Sequence, residues 1–120
     1  MTAARNSTLG RYGESVAARH LTDLGMTVLD RNWRSSSGEI DLVLRDGNTL
    51  VICEVKTRTS VDRGHPLEAV DEIKAARLRR LAAEWIEDKH VHPGDVRLDL
   101  VGVVQSGRGA AHVEHVRGVG

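Results

Sequence analysis

Apolar residues recur at helical spacing from about Thr8 to Leu24, where Ala17, Ala18, Leu21 and Leu24 form one stripe. Gly25 follows at the place of a helix-terminating glycine. The period then changes. "MTVLDRNW" predicts a short strand and "RSSSG" a polar loop, while residues 39–45 and 49–57 predict two strands joined by "RDGN", with Asp46-Gly47 as a hairpin turn. A loop, "TRTSVDRGHP", leads to a second helical pattern with Asp71 as N-cap and a stripe of Leu78, Leu81, Ala82 and Trp85. "HPGD" ends it, with Pro93 as the breaker. "VRLDLVGVV" predicts a further strand and "AHVEHVRG" a final one. The strand–helix–strand segment at 49–104 predicts one parallel pair with a right-handed crossover. The expected fold is α/β: a central mixed sheet flanked by helices, in the order α-β-β-β-α-β and then a last β.

The polar positions inside the two central strands call for an explanation. "GEIDLVLRDGNTLVICEVKTR" carries Glu39, Asp41, Glu54 and Lys56 among its valines, leucines and isoleucines. Strict alternation puts Ile40, Leu42 and Leu44 on one face and Glu39, Asp41 and Val43 on the other; Leu50, Ile52, Glu54 and Lys56 share a face of the next strand. A two-residue Asp46-Gly47 loop pairs Arg45 with Asn48, sets Asp41 opposite Ile52 and Glu39 opposite Glu54, and leaves Asp41 and Glu54 as diagonal neighbours about 7–8 Å apart. A solvated sheet face tolerates such charges. Val43, Leu50 and Ile52 on the same face argue instead that it is partly covered, and gathered carboxylates repel unless a cation or Lys56 compensates.

Two helical residues extend the set. Glu14 borders the first stripe and reaches toward the sheet edge, or else serves as an acid near a helix N-terminus. Lys74 shares the core-facing side of the second helix with Leu78, Leu81 and Trp85, either snorkelling or pointing a cation at phosphate or at the carboxylates.

Composition narrows the chemistry. The 120 residues predict one domain, 1–120, with its core at about 8–104 and a Gly-rich end. Seventeen basic residues balance seventeen acidic ones, so contact with a polyanion requires a local basic patch. Arg58, Arg63, Lys74 and Arg77 are candidates for it, with Arg80 further along the helix. The "RSSSG" loop either offers backbone N–H groups to phosphate or is an ordinary loop. Cys53, the single cysteine, excludes an internal disulfide and reads as a small buried hydrophobe. The chain has neither a bilayer-length apolar run nor a secretory h-region, so a cytoplasmic location without membrane contact is expected. The histidine and cysteine spacings do not suit zinc. Aromatic content of 2% gives little base-stacking surface, and no P-loop glycine pattern occurs.

Asp41, then twelve residues, then Glu54-Val55-Lys56 resembles the core motif of the PD-(D/E)xK nucleases, with Glu14 as the upstream helical acid. "GRYGESVAARHL", "RNWRSSSGEIDLVLRDG", "LVICEVKTR", "EAVDEIKAARLRRLA" and "VRLDLVGV" together resemble, in order, the blocks of the bacterial YraN-like family over most of residues 9–104. That family is similar in fold to archaeal Holliday junction resolvases and restriction endonucleases. The resemblance implies Asp41 and Glu54 as ligands of Mg2+ or Mn2+, Lys56 as the catalytic lysine and Glu14 as support through water or a second ion. Glu39 and Asp99 fall in family blocks as residues behind the ligands, Asp99 alternatively as a partner for Arg97. The implied function is nucleic-acid binding with metal-dependent phosphodiester cleavage, DNA favoured over RNA and branched DNA as one substrate, by a homodimer. A binding module that does not cut, and a phosphohydrolase of small substrates, are the rival expectations.

Overall fold

The computed structural model describes residues 8–59, 71–105 and 109–119. Within them the order is α1 (Thr8–Asp23), β1 (Thr27–Ser35), β2 (Gly38–Asp46), β3 (Thr49–Arg58), α2 (Glu72–Lys89), β4 (Asp95–Val104) and β5 (His112–Val116). The strands form one sheet in the spatial order β1-β2-β3-β4-β5. Only β3 and β4 run parallel, joined through α2; the other neighbours are antiparallel. The mixed α/β sheet flanked by helices is therefore the fold, and the final strand exists.

The helix ends follow from local chemistry. Gly25, at φ 102, closes α1: its N–H donates to Thr22 O at 3.0 Å, and the Met26 N–H donates to Leu21 O at 3.1 Å. The paired bonds form a Schellman motif, and Met26 and Leu21 pack in the same core. Leu24 is 51% exposed and not part of the apolar stripe, because it sits in the turn after the last helical residue. Asp71 caps α2, its carboxylate accepting from the Lys74 N–H at 2.9 Å. The helix stops before "HPGD", at Lys89, because His90 takes the left-handed conformation (φ 57) that closes the last turn.

Two apolar cores cover the two faces of the sheet. Ala17, Ala18 and Leu21 of α1 pack on Leu42, Leu44, Val51, Cys53, Val101 and Val103. Ala75, Leu78, Leu81, Ala82 and Trp85 of α2 pack on Ile40, Val43, Leu50, Ile52 and Leu98. Ile40 thus lies on the opposite face from Leu42 and Leu44, against strict alternation. Its cross-strand partner Trp33 adjoins Asn32, which takes the left-handed conformation at φ 52. Val43, Leu50 and Ile52 do share a covered face.

The hairpin register also differs from the one expected. Asp46 is paired with Thr49, so the turn is Gly47-Asn48, with Gly47 at φ 63. Arg45 pairs with Leu50 and Leu42 with Cys53. The loop still holds two residues, so the faces keep their parity, but every partner shifts by two positions. The pairing stops at Leu42 and Cys53, so Asp41 is not set opposite Ile52 as expected.

Candidate functional site

Pairing between β2 and β3 ends at Leu42 and Cys53. Asp41 is the first residue beyond that pair on β2, and it is 4% exposed. Its Oδ2 accepts a hydrogen bond from the Val55 N–H at 2.8 Å, so the carboxylate takes over from the ladder where the backbone pairing stops. Glu54, one residue back on β3, is 8% exposed. Leu50 and Ile52 precede it on the face covered by α2, and the same alternation brings Lys56 to that face.

Two lysines converge on Glu54. Lys74 Nζ, from the first turn of α2, donates to Glu54 Oε2 at 2.8 Å, and Lys56 Nζ lies 3.8 Å from the same oxygen. The Asp71 cap fixes that turn, and Leu78 and Leu81 anchor the face that Lys74 shares. Burial holds the Lys56 ammonium below its ordinary range; the neighbouring Lys74 charge lowers it further, and Glu54 opposes both. The structure therefore joins Glu54, Lys56 and Lys74 in one cluster, with Asp41 tied to it through Val55. Lys74, expected to point at phosphate or at the carboxylates, is a partner of Glu54.

The other candidates lie around this cluster or apart from it. Glu14 is half-buried on α1, next to Gly13, which packs against Thr57 near the end of β3. Glu39 is not opposite Glu54; it pairs across the strands with Arg34, their charged groups 3.5 Å apart. Arg58 and Arg77 are exposed, and Arg77 lies over Gly38. Arg63 lies outside the described residues. The "RSSSG" segment is a tight turn docked on α2, with Ser35 and Ser37 both donating to Glu84 and holding its carboxyl below the usual range.

Asp99 belongs to a different cluster. On β4 it pairs in register with Cys53 of β3, and it is 0% exposed. Arg97 grips both of its oxygens, at 2.8 and 3.0 Å; His115 Nε2 lies 2.8 Å from Oδ2, and the Gly118 N–H donates to Oδ1 at 3.1 Å. Arg97 also reaches Asp46 at 3.1 Å, and the His20 ring stands edge-on to His115. Asp99 is therefore the Arg97 partner that its spacing allowed, and it fastens the C-terminal segment to the sheet. Pattern alone does not single out His115, since the register of a last short strand leaves no signal in the sequence. Burial, then the carboxylates of Asp99, Asp41 and Glu54, push the Cys53 thiol well up, so it is inert.

Among the described residues, no three acidic, histidine or cysteine side chains gather as a ready metal cage. Magnesium and manganese do not need one. Hard oxygens from one or two carboxylates suffice, with water and phosphate completing the shell. Asp41 and Glu54 supply that donor set, and the Lys74 ammonium on Glu54 Oε2 is a stand-in for a cation at this carboxylate. The residues fit such an ion.

Known proteins place the chain in a family. The model of the family described as "Uncharacterised protein family UPF0102" matches residues 13–103. A UPF0102 protein of Nocardioides sp. is 59% identical over 118 residues, covering 98% of this chain and 95% of the relative. One from Kineococcus radiotolerans is 61% identical over 112 residues, 92% of each chain. One from Streptomyces griseus subsp. griseus is 58% identical over 113 residues, 92% of this chain and 94% of the relative. The family match spans every residue of the Asp41–Glu54–Lys56–Lys74 cluster, and the chain belongs to the UPF0102 family, the YraN family of the motif resemblance.

Proposed function

We propose that this protein binds nucleic acid and hydrolyses phosphodiester bonds with Mg2+ or Mn2+ held by Asp41 and Glu54. The observation that carries this reading is the placement of two nearly buried carboxylates on adjacent strands just past the point where those strands stop pairing, with two lysines converging on one of them. Burying carboxylates is costly unless cations accompany them, and two lysines accompany Glu54.

When bound, the ion supplies a Lewis acid and lowers the pKa of a bound water. The chain's own residues do the rest. Asp41, fixed by the Val55 N–H, presents an oriented carboxylate. Lys56, flexible and half-buried, stabilises negative charge developing on phosphate or orients the attacking water. Glu14 supports the site from α1. Arg58 and Arg77, exposed near it, bind backbone phosphates, as Arg63 would from the connecting segment.

DNA is the favoured substrate, with branched forms foremost, and a C2 pair of chains would present two sites to two strands. Among the described residues no helix is long and apolar enough to cross a membrane. We place the protein in the reducing cytoplasm, where its lone buried cysteine is stable and nucleic acid is at hand.

Purified protein incubated with duplex, flap, four-way junction and RNA substrates in Mg2+ or Mn2+ tests the reading. Cleavage should require the ion and disappear in Glu54→Gln and Lys56→Ala. Binding without cutting under either ion would leave a recruitment module on the same fold. Cleavage undiminished in both variants would place the chemistry elsewhere.

A further inference from the structure

Lys74 Nζ and Lys56 Nζ lie 2.8 and 3.8 Å from the same oxygen, Glu54 Oε2. The nearer lysine is also the better buried, with 18% of its side chain exposed against 37% for Lys56. Its stem runs along the face of α2 that packs on the sheet, and its backbone N–H is held by the Asp71 cap. An ammonium this close occupies a position from which a metal ion would reach Glu54.

Charge balance governs how the cluster receives an ion. Asp41 and Glu54 carry two negative charges, and Lys56 and Lys74 carry two positive ones. The formal charges of these four side chains therefore cancel within the cluster. A divalent ion added to it leaves an excess of two positive charges in a poorly hydrated place, where repulsion between cations is strong. Two events relieve the excess: a lysine withdraws from Glu54, or anions arrive. Nucleic-acid phosphates do both at once, because each contributes a negative charge and offers the ammonium another partner. Lysine suits such an exchange, being a compact point charge on a flexible four-carbon stem.

We propose that Lys74 is an internal counter-cation that withholds Glu54 from divalent ions until phosphate draws its ammonium away, so that metal and nucleic acid bind cooperatively. This rests on the reading of Asp41 and Glu54 as the metal carboxylates. Lys74 is then a positioning residue with two partners: the carboxylate before binding and a phosphate after it. Linkage requires the effect to be reciprocal: nucleic acid tightens the ion by the same factor by which the ion tightens nucleic acid.

The test counts bound Mn2+ by the EPR signal of the free ion. The proteins are the full-length wild type, Lys74→Met and Lys74→Gln, alone and with a phosphorothioate-linked DNA duplex that resists hydrolysis. Without DNA, Lys74→Met should bind Mn2+ about tenfold more tightly than wild type, the size of removing one nearby charge. Adding Glu54→Gln to that variant should abolish the gain. DNA should tighten Mn2+ binding to wild type by about tenfold and to Lys74→Met much less. Lys74→Gln should behave like Lys74→Met, which keeps the test decisive if the methionine variant folds poorly. Equal Mn2+ affinity of wild type and both variants without DNA, with DNA tightening all three alike, overturns the role of Lys74 and leaves the metal site standing. No Mn2+ uptake by any of them, with or without DNA, overturns the metal reading and this inference together.

Discussion

The Val55 N–H donates to Asp41 Oδ2 across 2.8 Å, bridging β2 and β3 just past their last backbone pair, Leu42 with Cys53. Asp41 therefore has a structural task beside any chemical one. Replacing it with alanine leaves a half-buried N–H without its acceptor, at a cost of about 1–2 kcal/mol. Asn keeps an oxygen in place and should cost less than half of that, while still removing the charge that a metal needs. Urea unfolding of the two variants checks this. Equal losses would mean that the hydrogen bond contributes nothing.

Much of this fold was legible because its signals are local. The glycine after α1, the Asp71 cap, the two-residue hairpin and the strand–helix–strand crossover each specify their own few residues. The exact register was not, because "RDGN" offers two neighbouring dipeptides as the turn and both preserve the alternation. Asp46 is drawn into the strand and ion-pairs with Arg97 of β4, a partner 51 residues away. Ile40 departs from strict alternation beside an irregular stretch of the neighbouring strand, where Asn32 has a positive φ, and such backbone conformations are not written in the apolar pattern. Of the candidate site, Glu54 and Lys56 could be paired by alternation alone. That Lys74 meets Glu54 depends on how α2 settles on the sheet, which spacing within the helix does not state. Gathered carboxylates are expected to need a compensating cation; Glu39 pairs with Arg34, Asp41 accepts from the Val55 N–H, and Glu54 meets both Lys56 and Lys74.

Gly13 lets α1 lie directly against Thr57 of β3. A Cβ there would fall 2.8 Å from Thr57 Cβ and Cγ2, closer than such carbons tolerate. Gly13→Ala should cost about 1–3 kcal/mol through overpacking, despite alanine's higher helix propensity. Thr57→Ala should restore part of the loss in the double variant. Thermal unfolding of the three proteins reads this, and an alanine variant as stable as wild type would show that α1 shifts freely over β3.

Asp99 gives the stability a defined pH dependence. Burial alone would raise its carboxyl pKa, but hydrogen bonds from Arg97, His115 and the Gly118 N–H outweigh it and hold the group below the usual carboxylate range. The folded pKa thus lies under the unfolded value of about 3.9. The stabilisation is present above that value and is lost as pH falls through the folded one. Asp99→Asn should lower stability at pH 7 and flatten its fall in the acid range. Asp99→Ala, which takes the acceptor from His115 and leaves Arg97 with Asp46 alone, should cost about 3 kcal/mol. Urea unfolding followed across pH checks both; an unaltered acid profile in Asp99→Asn would contradict the assignment.

Arg77 is exposed on α2, about one turn beyond Lys74, which holds the Glu54 carboxylate. Arg77→Ala should weaken DNA binding, reduce the slope of log affinity against log salt by about one, and leave Mn2+ binding without DNA unchanged. A salt slope equal to that of wild type would remove Arg77 from the interface.

The location of a divalent ion tests the central claim most directly. Crystals of the protein bound to the phosphorothioate-linked duplex, soaked in Mn2+ and measured at the manganese absorption edge, should give an anomalous peak about 2.0–2.3 Å from carboxylate oxygens of both Asp41 and Glu54, with the Lys74 ammonium moved off Glu54 Oε2. Density for a well-ordered complex with no peak at these two carboxylates, and Lys74 still 2.8 Å from Glu54 as in the free protein, would contradict it.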